Sequence, residues 1–232
     1  MIFSFLAVLF FPPKCVCCGK PLETVGELVC SSCKDEFECT EHVLHKGNKT
    51  AQLFEDIPKV TAAASFAYYR DDSALRQVIH ALKYNGRPDL GKWLGNLAAR
   101  EMLNMNPEWF SETDIIVPVP LHPKKQRERG YNQSVEIALG VAEVIGKPVV
   151  EDALIKTVNN QTQTQMTIEQ RRHNSQHVFA LNDKRADMLK GRHLLLIDDV
   201  VTTGSTLRDC IRCLTPLRNT TIQVMTIAVP AS

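Results

Sequence analysis

Two stretches of this chain are apolar without alternation, DIIVPV at Asp114–Val119 and LLLI at Leu194–Ile197. Such runs suit strands covered on both faces, as in a parallel sheet. AAASFAYY, residues 62–69, also reads as a strand. After it, Ala74, Leu75, Val78, Ile79 and Leu82 recur at helical spacing and predict a helix over 73–82. Gly86 breaks that helix, and Pro88 can open the next, near Asp89–Leu103. A further helix is expected over 134–145 and another through Arg208 and Asp209. Short strands are expected within Val149–Thr157 and His177–Leu181, and a last strand over Thr220–Val229. Strand and helix alternate across 62–229, which predicts an α/β domain with a mostly parallel sheet flanked by helices. Ligands bind such sheets in loops at the carboxyl ends of the strands.

Two N-terminal segments fall outside this rhythm. MIFSFLAVLFF, the first eleven residues, is apolar but too short to span a bilayer as a helix, which takes about 20 residues. It has no basic flank and no small-residue cleavage site, so it reads as a short helix packed on the protein's core or on a partner. Next come Cys15-x2-Cys18 and Cys30-x2-Cys33. Paired knuckles at this separation are the arrangement of a tetrahedral four-cysteine zinc site. Gly19, just after Cys18, supplies the positive φ that a knuckle turn needs. Cys17, Cys39, His42 and His45 are alternative members of the set or of a second site. Disulfides would need an exported protein, which nothing here suggests. Cys210 and Cys213 share a helix face, lack a second pair and read as small buried residues. The expected division is therefore a module over 1–50 and an α/β domain over 58–232.

The strand at 194–197 runs into Asp198 and Asp199, then Val200, and then a small hydroxyl loop, Thr202, Thr203, Gly204, Ser205 and Thr206. A helix start leaves about four N–H groups unpaired, and its dipole favours an anion. Gly204 lets the backbone approach that anion closely. The two carboxylates can accept hydrogen bonds from sugar hydroxyls or hold Mg²⁺ through water. This is a recipe for a phosphorylated sugar. A second strand–loop–helix unit carries PLHPKKQRERGYNQ, with Lys124, Lys125, Arg127 and Arg129 ahead of Gly130, then Asn132 and Gln133. A basic, glycine-containing loop of this kind suits pyrophosphate. Lys83 and Arg87 flank the Gly86 break, where a helix C-terminus favours solvated cations. A polar loop over 159–175 holds Gln163, Arg171 and Arg172, and a compact domain rarely keeps such a loop without purpose.

A formal net charge of +1 excludes the strongly basic surface of a protein that wraps nucleic acid. A local basic patch at 124–129 is still compatible with weak binding of single-stranded DNA, though Tyr131 is the one stacking aromatic near it in sequence.

IDDVVTTGST resembles the signature of type I phosphoribosyltransferases, which bind 5-phosphoribosyl-1-pyrophosphate (PRPP). The resemblance implies that Asp198 and Asp199 contact the ribose hydroxyls and that the Thr202–Thr206 loop cradles the 5′-phosphate. With it stand FPPKCVCCG and CSSC, ALKYNGR, VPVPLHPKKQRERGYNQ, and QRRHN with Phe179. In this order the five motifs resemble the ComF family, over nearly the whole chain. That family implies a PRPP-binding phosphoribosyltransferase linked to natural competence and uptake of single-stranded DNA, with structural zinc, Mg²⁺ bound with PRPP, and an unspecified acceptor. It also implies a cytoplasmic setting and partners in the DNA-uptake machinery. Arg129 and the Gly130 turn would face pyrophosphate, and the 159–175 loop would close over the site. A PRPP-sensing adaptor without turnover would use the same loops. Lys156 and Asn160 depart from the family, where Arg and Thr are usual. Lys keeps the charge but not the planar fork that grips phosphate.

Overall fold

The structure, a computed structural model, describes residues 13–24, 26–156 and 178–231. A four-stranded sheet forms its centre. The strands are β1 (Val60–Tyr69), β2 (Ile115–Pro118), β5 (His193–Val200) and β6 (Thr221–Pro230), all parallel, in the order β1-β6-β5-β2. Strands β3 (Leu154–Lys156) and β4 (Phe179–Leu181) form a separate antiparallel pair. The helices are α1 (Ser31–Asp35), α2 (Lys49–Gln52), α3 (Ala74–Tyr84), α4 (Asp89–Met105), α5 (Pro123–Arg129), α6 (Gln133–Ile145), α7 (Asp183–Leu189) and α8 (Ser205–Leu214).

Alternation along the buried strands feeds two apolar clusters, one on each face of the sheet. Ile116, Leu195, Ile197, Met225 and Ile227 face the cluster that holds Leu75, Val78, Leu94 and Ile137 of α3, α4 and α6. Ile115, Val117, Leu194, Leu196 and Val224 face Leu207, Ile211 and Leu214 of α8, together with Leu154 and Phe179. Cys15, Leu22, Val29, Cys33 and Phe37 join the first cluster, so the cysteine segment packs on the same core as α3 and α4.

The strands and long helices lie where the pattern predicts them, but two segments differ. The basic run 124–129 belongs to helix α5 and is not a loop. His122 Nδ1 accepts from the Lys124 N–H, Pro123 presets φ in the first turn, and Gly130 ends the helix at φ 86°. Four cations within seven residues mask these caps in a reading by composition. Helix α7 likewise begins at a side-chain cap, Asn182, whose oxygen accepts from the Lys184 N–H. Its apolar face is too small to give a periodic signal. The apolar residues 1–11 and the polar loop 159–175, with Gln163 and Arg171, lie outside the described residues. Among the described residues, no helix is long and apolar enough to cross a membrane.

Candidate functional site

Strand β5 carries its last residues, Asp198 and Asp199, to the carboxyl edge of the sheet, and both are buried there. The neighbouring strand β2 ends at the same edge. Asn132 ties the end of β2 to helix α6, since its Nδ2 donates to the Val119 carbonyl at 2.9 Å while its Oδ1 caps α6 through the Ser134 N–H. The cap places Ser134 on the acidic pair, with Ser134 Oγ donating to Asp198 Oδ1 at 3.0 Å. The Asp199 N–H donates to the same oxygen at 2.9 Å. Burial, and then the charge of Asp199, push the Asp198 carboxyl up to about 7, against the pull of those two hydrogen bonds and of Lys83.

Asp199 is held differently. Lys83 Nζ, at the end of α3, lies 3.0 Å from Asp199 Oδ2. The pair is close but not aligned as a hydrogen bond, and among the described residues this buried oxygen has no hydrogen-bond donor. A carboxylate oxygen withdrawn from water without a donor costs more than about 1 kcal/mol. A ligand hydroxyl or a cation would satisfy it.

Beyond Val200 and Val201 the chain turns through Thr202 and Thr203 to Gly204, whose φ of 75° is left-handed, and enters α8 at Ser205. Gly204 stands at the N-cap of α8 and has no side chain to cap it. Thr203 Oγ1 lies 3.4 Å from the Ser205 N–H, a long contact. Among the described residues the amides of Thr202, Thr203, Gly204, Thr206 and Leu207 donate to no backbone carbonyl. They surround a cavity of about 40 Å³ lined by Asp198, Val200, Thr202, Gly204, Ser205 and Thr206. The far side of the loop is clamped. Arg208 reaches the Leu53 carbonyl at 2.6 Å and pairs with Asp56.

A second cavity, of about 280 Å³, opens among Lys83, Tyr84, Gly86, Lys125, Glu128 and Arg129. Arg129 lies 5.6 Å from the centre of the Tyr84 ring and donates to Gln133 Oε1. The structure thus groups Arg129 with Lys125 and Lys83. Gly130, Asn132 and Gln133 shape the turn and brace Arg129. Lys83 and Ser134 escape a reading by local pattern, because a lysine at a helix end and a serine in a first turn are ordinary. Their partners come from strand β5, far along the chain.

In the N-terminal segment, the sulfurs of Cys15, Cys18, Cys30 and Cys33 lie within 4.8 Å of one another. Cys18 and Cys30 Sγ are 3.8 Å apart. Tetrahedral zinc with Zn–S bonds of about 2.3 Å sets its sulfurs roughly 3.8 Å apart, so the cluster fits that ion. Gly19 takes φ 70° in the first knuckle, and its N–H donates to the Cys15 carbonyl. Burial opposes ionisation of Cys15, yet the backbone N–H groups of Cys18, Cys30 and Cys17 outweigh it and bring that thiol down to about 6. Burial and the adjacent thiols push Cys33 up. Four thiols this close cannot all ionise unless a cation joins them. Among the described residues Cys17, Cys39, His42 and His45 stay outside the cluster. Cys17 Sγ turns to the Ala74 carbonyl, and His42 is engaged with Thr50. Cys210 is fully buried in the core, and Cys213 is half-buried against it.

Residues 132–231 match the phosphoribosyl transferase domain family. Over 228 residues the chain is 28% identical to DNA utilization protein YhgH of Escherichia coli O157:H7, covering 94% of this chain and 97% of that one. It is 24% identical over 229 residues to Competence protein F of Haemophilus influenzae, covering 94% and 98%. Competence protein ComFC of Bacillus subtilis is 27% identical over 201 residues, covering 86% and 70%. The chain thus carries a phosphoribosyl transferase domain over its C-terminal part and is similar over most of its length to proteins named for DNA utilization and competence. The matched domain begins at the Asn132 cap and takes in Ser134, the acidic pair and the hydroxyl loop. Lys83, Lys125 and Arg129 lie ahead of it, so half of the charged site comes from outside the matched domain.

Proposed function

We propose that this protein binds PRPP across the carboxyl edge of its sheet and transfers the phosphoribosyl group to an acceptor, in the setting of DNA uptake. The observation that carries the reading is the open end of β5, where, among the described residues, a buried carboxylate oxygen without a donor stands beside a row of amides that donate to no backbone carbonyl. The amides and hydroxyls of Thr202–Thr206 take the 5′-phosphate. Asp199 Oδ2 and Asp198 accept from the ribose hydroxyls, and Ser134 holds Asp198 in place. Lys83, Lys125 and Arg129 face the pyrophosphate. The acidic pair also fits Mg²⁺ bound through water, which would screen the charge of the diphosphate. These residues then do two things as pyrophosphate leaves. They hold the sugar in one orientation, and they place carboxylates beside a ring that becomes cationic.

The setting rests on the relatives' names, which concern DNA utilization and competence. A cytoplasmic protein working with the DNA-uptake machinery is consistent with them. The four-cysteine cluster is assigned to a structural Zn²⁺.

The test is calorimetric titration with PRPP and Mg²⁺, followed by a pyrophosphate-release assay with candidate acceptors. Binding in the wild type and its loss in the Asp198→Asn, Asp199→Asn double variant are expected. Equal affinity in both proteins would reject the site. Binding without pyrophosphate release from any acceptor would favour the PRPP-sensing adaptor over the transferase.

A further inference from the structure

The amino ends of β1, β5 and β6 open on a cavity of about 400 Å³, at the opposite edge of the sheet from Asp198. Buried His42, Ala63 and Leu194, half-buried Trp109, and exposed Lys46 and His193 are among the residues that line it. Small-molecule sites occupy roughly 300–1,000 Å³, so the size admits a ligand of several rings.

His42 is the telling residue. Its side chain is wired into a buried hydroxyl chain. Thr50 Oγ1 lies 3.1 Å from His42 Nδ1 and 2.7 Å from Ser65 Oγ, which lies 2.7 Å from Thr226 Oγ1. The Ser65 N–H points at His42 Nδ1 from 3.3 Å. An amide can only donate, so Nδ1 is an acceptor and the ring proton sits on Nε2. Burial, and then Lys49 and His45, hold the His42 pKa below its ordinary value, so the ring stays neutral. Among the described residues Nε2–H has no protein acceptor, and it is not among the buried unpaired atoms, so the donor is open to the cavity that His42 lines. Fixing the tautomer and leaving this donor to a cavity is the arrangement of a site that reads an acceptor atom.

The other lining groups define what carries that atom. Trp109 supplies a flat aromatic surface, and Ala63 and Leu194 are apolar. Lys46 supplies an exposed cation. His193 is already engaged, with Nδ1 2.5 Å from Thr221 Oγ1 and 3.9 Å from Glu112. His45 lies 3.6 Å from Glu41. We propose that this cavity binds a 5′-mononucleotide, with an acceptor edge of the base on His42 Nε2–H, the base against Trp109 and the phosphate at Lys46. The site is separate from the PRPP reading and does not depend on it. Strand β5 joins the two, with Leu194 at the cavity and Asp198 four residues on, about 13 Å along the strand.

The experiment is calorimetry of the full chain with AMP, UMP, adenosine and inorganic phosphate. It is paired with tryptophan fluorescence of a Trp93→Phe variant, which leaves Trp109 as the single reporter. One nucleotide should bind per chain and change Trp109 emission, with adenosine and phosphate each at least tenfold weaker. Lys46→Glu, an exposed change that spares the fold, should weaken the nucleotide at least tenfold. The Asp198→Asn, Asp199→Asn variant should bind it as the wild type does. Absence of binding by any nucleotide, unchanged affinity in Lys46→Glu, or loss of binding in the double Asn variant would each overturn the proposal. The last result would place the nucleotide at the carboxyl edge instead.

Discussion

Lys83 Nζ lies 3.0 Å from Asp199 Oδ2, joining the end of α3 to the end of β5 across the mouth of the candidate site. Lys83 also lines the cavity that holds Lys125 and Arg129. It therefore stands between the acidic pair, which suits a sugar, and the cationic cavity, which suits pyrophosphate. A contact to a charged group contributes about 1.5–3 kcal/mol, or roughly ten- to a hundredfold in affinity. Lys83→Met should weaken PRPP binding by that factor. Its buried partner would also lose the compensating charge of Lys83, so thermal stability should fall. Calorimetry and a melting curve measure the two effects separately, and an unchanged PRPP affinity would remove Lys83 from the site.

The acidic pair also sets a pH dependence. The Asp198 carboxyl ionises near 3.8 when free and is raised to about 7 in the fold. Below the free value both states hold the proton, and this residue exerts no drag. As pH rises from about 4 to about 7 the unfolded chain ionises first, and the folded state loses stability relative to it. A tenfold change in the ionisation constant is worth about 1.4 kcal/mol, so a rise from 3.8 to about 7 corresponds to roughly 4 kcal/mol. Asp198→Asn keeps an oxygen for the Ser134 and Asp199 donors but cannot ionise. The variant should melt higher than the wild type at pH 8, and the gap should close by pH 4. A gap that is constant with pH would refute the burial argument.

The strands are legible in the sequence because a strand buried on both faces announces itself as an apolar run. Leu194–Ile197 and Asp114–Val119 do this. The two CxxC knuckles are legible because metal spacing is local. What stays hidden depends on distant partners or on caps. Helix α5 is specified by His122, Pro123 and Gly130 and not by an apolar face, and none of its residues is buried. Lys83 reads as a solvated cation in the sequence because it sits at a helix end, while its partner lies 116 positions away at Asp199. The same holds for the cavity at the amino edge. It joins His42, Trp109 and His193 from three separated segments, and no local pattern anticipates it.

Zinc should be a stability determinant of the whole chain and not of a detachable module. Cys15 and Cys33 are buried in the cluster that also contains Leu75, Val78 and Leu94. Cys18 is exposed, so Cys18→Ser tests the metal with little disturbance to packing. Elemental analysis should find one zinc per wild-type chain and none in the variant. A loss of about 3 kcal/mol would lower Tm by roughly 6–12 °C in a domain of this size. Wild-type protein treated with a chelator should fall to the same Tm. If the metal-free protein melts as the holoprotein does, the cluster contributes nothing to the fold.

Helices α4 and α6 meet through glycines, and that contact positions the site. A Cβ on Gly140 would stand 2.0 Å from the Lys92 carbonyl oxygen and 2.8 Å from the Asn96 nitrogen. A Cβ on Gly95 would stand 2.1 Å from the Ile137 carbonyl oxygen. These are backbone atoms, so no side chain can swing away, and the helices would have to part. Alanine gains about 1 kcal/mol over glycine in helix propensity, but overpacking costs about 1–3 kcal/mol and a backbone clash more. Gly140→Ala should therefore destabilise the protein on balance, despite the better helix former. Helix α6 also carries the Asn132 cap and Ser134, so its displacement should loosen the hydrogen bond to Asp198. PRPP affinity should fall in any Gly140→Ala protein that still folds. Gly47→Ala is the control, since its Cβ would meet nothing within 4 Å and should leave both stability and affinity unchanged. If Gly140→Ala instead raised Tm, helix propensity would have won and close helix contact would not be what holds Ser134 on the acidic pair.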